Sequence, residues 1–277
     1  MKKKLFIAFL ALLMAGQVVR GQVLISLLFG DKLNSPTLKF GLDGGANFST
    51  ISNISPSKYR TGFNLGFYFD FLLKKDKPWY LHTGVLVKSA LGAKGISPYH
   101  LNYADSTALD SLFIDGTVDR KLSYFNVPIL VRYRFKNKLF IELGPMISLL
   151  YKAKDVFSAE IEDKDDLTFA NDVRDQYHRI DVGGMAGIGY YIHRRYSELK
   201  GNEINLGFRY YYGFMDILKD NPGNAQHNSS FYLFASIPIG AGEKGQAKKA
   251  AAAKERKEKK ERKLKEKELK KEQENKK

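Results

Sequence analysis

Cysteine is absent from the chain, which excludes a disulfide framework, thiolate metal sites and a lipid anchor carried on cysteine. After the first fifteen residues there is no uninterrupted apolar stretch of about 20 residues, so no segment can cross a bilayer as a helix. The five histidines (His82, His100, His178, His193 and His227) are scattered, and none sits at metal-ligand spacing. Catalytic signatures are equally scarce. Ser97/His100 and His227/Ser229/Ser230 are the only neighbouring serine–histidine combinations, both in or beside predicted loops. The run Gly183-Gly184 to Gly187-Ile188-Gly189 lacks the strand–turn–helix context of a nucleotide loop; small residues that ease strand curvature and lumen packing explain it better. The acidic stretch Glu160, Glu162, Asp163, Asp165, Asp166 lacks the spacing of a calcium-binding loop. These absences point to a protein that is not an enzyme and needs no cofactor or metal.

What is present is a two-residue rhythm. In Phe63-Asn64-Leu65-Gly66-Phe67-Tyr68-Phe69-Asp70-Phe71 the odd positions are all apolar or aromatic, and the even ones are Asn64, Gly66, Tyr68 and Asp70. Similar alternation places strands at roughly 37–47, 60–72, 78–90, 119–135, 138–152, 177–193, 202–214 and 229–240. Strands of about 9–11 residues or more with apolar-out, polar-in alternation are the pattern of a transmembrane β-barrel. The expected fold is therefore all-β: an eight-stranded, antiparallel, up-and-down barrel spanning the outer membrane of a Gram-negative bacterium. Connections after the second, fourth and sixth strands are short, and the others are long and polar, 91–118 being the longest. Since outer-membrane barrels have short periplasmic turns, both chain ends fall in the periplasm. Pro128 and Pro145 interrupt strands and predict bulges near a rim.

The inward parity collects charge: Lys39, Asp43, Asp70, His82, Lys88, Arg132, Arg134, Glu142, Arg179, Asp181, Glu203 and Arg209. An eight-stranded barrel is just wide enough for side chains to fill it, so these charges must pair. The expected polar network consists of Arg132, Arg134, Glu142, Arg179, Asp181, Glu203 and Arg209. Arg132 or Arg134 should lie near Glu142, and Arg179 or Asp181 near Arg209 or Glu203. The network reads as a structural plug, with a narrow conducting or proton-relaying pore as the alternative.

Two flanking segments complete the chain. Residues 1–21 have a lysine-rich start followed by the apolar run Leu5 to Ala15, the layout of a secretory signal peptide. Residues 22–36 form a periplasmic lead-in to the barrel at 37–240. Residues 241–277 are a Lys/Glu-rich periplasmic tail that supplies about half of the formal net charge of +15. Pairs such as Glu255/Lys259 and Glu258/Arg262 favour a helix, but Leu264 and Leu269 are the only large apolar residues, so the tail is expected to be a fraying helix or disordered. In the periplasm its partners would be peptidoglycan or acidic protein surfaces. Nucleic acid is excluded by location.

The stretch Leu122 to Phe135 (LSYFNVPILVRYRF), with Phe140-Ile141-Glu142-Leu143-Gly144-Pro145 and Asp181 to Tyr190, resembles the central signature of PorT-like outer-membrane β-barrel proteins. So does the closing Asn228 to Leu233. The resemblance covers about 37–240 and omits the tail. It implies outer-membrane lipid as surroundings, envelope or type IX secretion proteins as partners, and no catalytic residues. A small passive channel, or a ligand-binding barrel acting through loops 91–118 and 153–176, is the alternative.

Overall fold

The alternating segments form nine antiparallel strands in the computed structural model, which describes residues 37–74, 77–100, 113, 115–159, 167–193, 203–220 and 223–239. The signal peptide, the lead-in, the acidic stretch 160–166 and the tail lie outside the described residues, apart from Ile239 just before the tail. The strands are β1 (Leu38–Ile51), β2 (Lys58–Lys74), β3 (Lys77–Ile96), β4 (Thr117–Arg134), β5 (Leu139–Ala159), β6 (Leu167–Asp172), β7 (Ile180–His193), β8 (Glu203–Gly213) and β9 (Asn228–Pro238). Eight of them close a ring in the order β1-β2-β3-β4-β5-β7-β8-β9, with β9 returning to β1. No helix among the described residues is long and apolar enough to cross a membrane.

The ninth strand, β6, is the addition to the expected eight. β7 pairs with β5 only from Leu139 to Leu149. Further along, β5 still offers an open edge, and β6 occupies it from Lys154 to Ala159. An uncovered edge is a template for unwanted pairing, so the short strand covers it. Three strands run longer at the long-loop end than the alternation suggests: β1 reaches Ile51, β3 Ile96 and β5 Ala159.

The outward face is apolar, with aromatic rings at both ends. Toward the short turns, Trp79 packs on Tyr133 at 4.8 Å and Tyr133 on Phe135 at 4.8 Å. Toward the long loops, Phe125 stacks on Tyr151 at 4.6 Å and Tyr210 on Phe231 at 4.8 Å. Between the girdles the outward run Ile141, Leu143, Ile147, Leu149 is exposed. At about 3.3 Å per residue and a tilt of about 40°, Ile141 to Tyr151 covers about 25 Å, the height of a lipid-facing band.

Register shifts interrupt several of the ladders, and two of the bulges decide where lysines point. Leu65 pairs with Lys88 but Gly66 with Leu86, so β3 carries an extra residue at Val87. Ser123 pairs with Lys152 but Tyr124 with Leu150, so β5 carries one at Tyr151. Each extra residue reverses the parity that follows. Lys88, read as inward, is therefore outward and exposed, its ammonium 5.8 Å from the Phe63 ring. Pro128 and Pro145, by contrast, cause no bulge: β4 and β5 keep one register from Pro128↔Met146 to Val131↔Leu143, and Pro145 faces Gly184 without a shift. Both prolines lie mid-strand, where a missing N–H removes a ladder bond without displacing the chain.

Candidate functional site

The lumen divides into two zones. Its short-turn half is filled by charge. Arg132 donates from Nε to Glu142 Oε2 at 2.8 Å and from Nη1 to Asp70 Oδ2 at 3.1 Å. Arg209 donates from Nε to Glu142 Oε1 at 2.5 Å and from Nη1 to Asp43 Oδ2 at 2.8 Å. Arg134 reaches Glu203 at 2.7 Å and Asp70 at 3.3 Å, and Lys39 joins at Glu203, 3.3 Å away. His82 lies between the two arms. Arginine can only donate, so Arg209 Nη2 gives its hydrogen to Nε2 at 2.9 Å, and Nδ1 carries the hydrogen donated to Asp70 at 2.6 Å.

Among the described residues four bases (Lys39, Arg132, Arg134, Arg209) thus meet four acids (Asp43, Asp70, Glu142, Glu203), and their formal charges balance. Aromatic faces complete it: the Arg209 guanidinium lies 3.6 Å from the Phe234 ring, Arg132 4.5 Å from Phe140 and Arg134 4.5 Å from Tyr80. These contacts, with charge-assisted hydrogen bonds on several sides, offset the desolvation of buried charge. Gly187 supplies the room. A Cβ there would sit 2.9 Å from Glu142 Oε1 and 3.0 Å from Arg209 Cγ.

Of the seven residues expected in the network, five meet there: Arg132, Arg134, Glu142, Glu203 and Arg209. Arg179 does not. β8 ends at Gly213 opposite Gly183, and Arg179 precedes β7; its carbonyl accepts from Leu150 N of β5 at 2.7 Å, but the residue is exposed to solvent. Asp181 is buried and, among the described residues, forms no salt bridge; its Oδ2 accepts from Asn228 Nδ2 at 2.9 Å. Neither approaches Arg209 or Glu203. The aromatic platforms Phe140, Phe234 and Tyr80 escaped the sequence reading, because alternation marks which way a ring points and not what lies on it.

Above a polar layer, in which Asn126 donates to Ser89 and Ser89 to Asn64 at 2.8 Å each, the long-loop half is filled mainly by apolar and aromatic side chains. Leu91, Leu122, Tyr124, Met146, Leu150 and Phe157 form its buried core. The rim is sealed by a second ion pair, in which Arg120 grips Asp155 through Nε at 2.9 Å and Nη2 at 2.6 Å. Tyr99, from the segment after β3, donates to Asp155 at 2.8 Å, and Asn171 of β6 donates to Tyr99 at 3.3 Å. Burial, with the Asp155 carboxylate beside it, raises the Tyr99 phenol well above its ordinary value, so it remains a donor.

In the His227/Ser229/Ser230 combination, His227 and Ser230 are both engaged with backbone carbonyls. His227 Nδ1 is 3.0 Å from the Met215 carbonyl oxygen, and the Ser230 hydroxyl donates to the Phe48 carbonyl at 3.3 Å. Among the described residues no group of three acidic or histidine side chains could hold a metal ion.

Several solved outer-membrane barrels are similar in structure. Ail, the attachment invasion locus protein of Yersinia pestis, shares 10% identity over 73% of this chain and 99% of its own, with a TM-score of 0.37. Neisserial surface protein A shares 15% over 72% and 96%, with a TM-score of 0.33. OprG from Pseudomonas aeruginosa shares 13% over 74% and 97%, with a TM-score of 0.30. No curated protein matches the sequence. Residues 32–219 match the family described as outer membrane protein beta-barrel domain. With its closed antiparallel ring, girdled apolar exterior and filled polar lumen, the chain belongs to that family and is an outer-membrane β-barrel protein.

Proposed function

We propose that the protein is a non-conducting, non-enzymatic barrel that holds a rigid β-sheet platform above the membrane for binding a ligand or an envelope partner. The observation that carries this is the division of labour along the strands. Within the lipid-facing band the lumen is occupied by the neutral ion network and the apolar core. Beyond the band β3, β4, β5 and β6 continue as one sheet tied together by Arg120, Asp155, Tyr99 and Asn171. With the short turns periplasmic, this platform faces the cell exterior. Its outward residues Thr168, Ala170 and Asp172 on β6 are exposed.

The test has two arms. Wild-type barrel in planar bilayers should give no single-channel steps. A photo-crosslinking residue at Thr168 should capture an adduct in intact cells, whereas the same residue at lipid-facing Ile147 should capture none. Discrete conductance steps, or no adduct from any exposed β6 position, overturn the reading.

The resemblance of 122–135 to PorT-like barrels supports a second reading, an assembly component associated with type IX secretion. It predicts stable envelope partners that co-purify from native outer membranes in mild detergent. Comparison with a chain ending at Gly240 then reports whether the basic tail docks them.

A further inference from the structure

The two bulges have a common product. By reversing parity where the apolar band ends, they bring lysines onto the outward face: Lys88 on β3 and Lys152 and Lys154 on β5, joined by Lys121 on β4. Lys152 immediately follows Tyr151, whose ring stacks on Phe125 in the upper girdle, and Lys88 lies over Phe63. The ammonium groups therefore stand at the border between the lipid-facing band and the projecting sheet.

Their arrangement opposes the usual pairing rule. Lys121 faces Lys154 directly across β4 and β5, and at the neighbouring rim Lys58 faces Lys94 across β2 and β3. Like charges placed opposite one another destabilise a sheet. Among the described residues none of these lysines has a carboxylate oxygen within 4.0 Å, although Asp172 stands opposite Lys154. The nearby Asp119 is already held by Arg60 at 2.8 Å.

We propose that Lys88, Lys121, Lys152 and Lys154 form a binding stripe for the phosphate groups of outer-leaflet lipid. The choice of occupant follows from position and charge. The stripe faces away from the lumen at headgroup depth, where long lysine stems lie along apolar surface and extend their charge toward phosphate. Adjacent strands are about 4.8 Å apart and alternate residues about 6.6 Å, so the stripe can meet more than one phosphate at once. This surface is distinct from the exposed face of β6 and holds whether or not that face binds a partner.

Native mass spectrometry of the full-length protein in detergent, with bisphosphorylated lipid A as probe, tests the proposal. Wild type should retain the lipid. Each Lys→Gln change should weaken retention about fivefold, and K121Q/K152Q/K154Q about a hundredfold. The charge-conserving K121R/K152R/K154R should bind as wild type, and heat-modifiable electrophoretic migration reports that each variant is folded. Equal retention by the folded triple Gln variant, or equal binding of dephosphorylated lipid A, overturns the proposal. So does displacement by inorganic phosphate at matched phosphate concentration, which would make the site a receptor for free anions. Retention of a soluble sulfated polysaccharide in place of lipid A would likewise assign the stripe to another ligand.

Discussion

Arg132→Met should be among the most damaging single substitutions in the barrel. The guanidinium is fully buried, donates to Glu142 at 2.8 Å and to Asp70 at 3.1 Å, and lies 4.5 Å from the Phe140 ring. Methionine keeps most of the apolar stem against Phe140 and removes the charge. Three bases then face four acids, and a buried carboxylate is left uncompensated. Removing one partner of a buried pair costs about 3–5 kcal/mol. Here Asp70 still has His82 and Arg134, and Glu142 still has Arg209, so the loss should fall near the lower figure of about 3 kcal/mol. Glu142→Gln in the same background restores neutrality, and the double variant should be more stable than the sum of the two single losses by about 1.5 kcal/mol or more. Urea unfolding from lipid vesicles can be followed by the fluorescence of the single tryptophan, Trp79, which is 40% exposed on the lipid-facing surface. A loss below about 1 kcal/mol for Arg132→Met, or strict additivity in the double variant, would refute the claim that the network acts as a charge-balanced unit.

Other substitutions probe separate parts of the argument. Gly187→Ala should lower unfolding stability by about 1–3 kcal/mol, because its methyl would push apart Glu142 and Arg209; the same urea titration reads it. Lys88→Leu should change stability by no more than about 0.5 kcal/mol, since the bulge turns the side chain outward, and a large loss would show that it points into the lumen. Tyr99→Phe removes the donor to Asp155 and should cost about 1 kcal/mol. Faster amide exchange in β6 and the end of β5, with β7 and β8 unchanged, is the expected signature of that loss.

Much of this could be read from the linear chain, and the failures cluster at identifiable residues. The alternation in 63–71 and 125–135 survives in the fold because a barrel wall separates lipid from lumen along its whole length, and side chains must alternate to match. Arg132, Glu142 and Arg209 were legible for the same reason. Lys88 was misread because a bulge is set by the fit between two strands, not by the residues of either one. Arg179 was misread because it stands just before β7 begins and past the last residue of β8, where the alternation that orients β7 no longer holds a side chain in the lumen. β6 offers six residues, too short a run to stand out, and takes strand form because β5 presents an edge that β7 has left.

Sequence by itself determined the class of the protein, since the period of the pattern follows from local backbone geometry and from the demand that no backbone polar group face lipid unpaired. Tertiary structure alone decided which charges meet. Asp70 and Arg132 are 62 residues apart and Asp43 and Arg209 are 166 apart, and ring closure brings each pair into hydrogen-bond reach. The balance of four bases against four acids, and the line of lysines where the lipid-facing band ends, exist only once register and bulges have aligned the strands, because electrostatic pairing depends on distance in space and not on order along the chain.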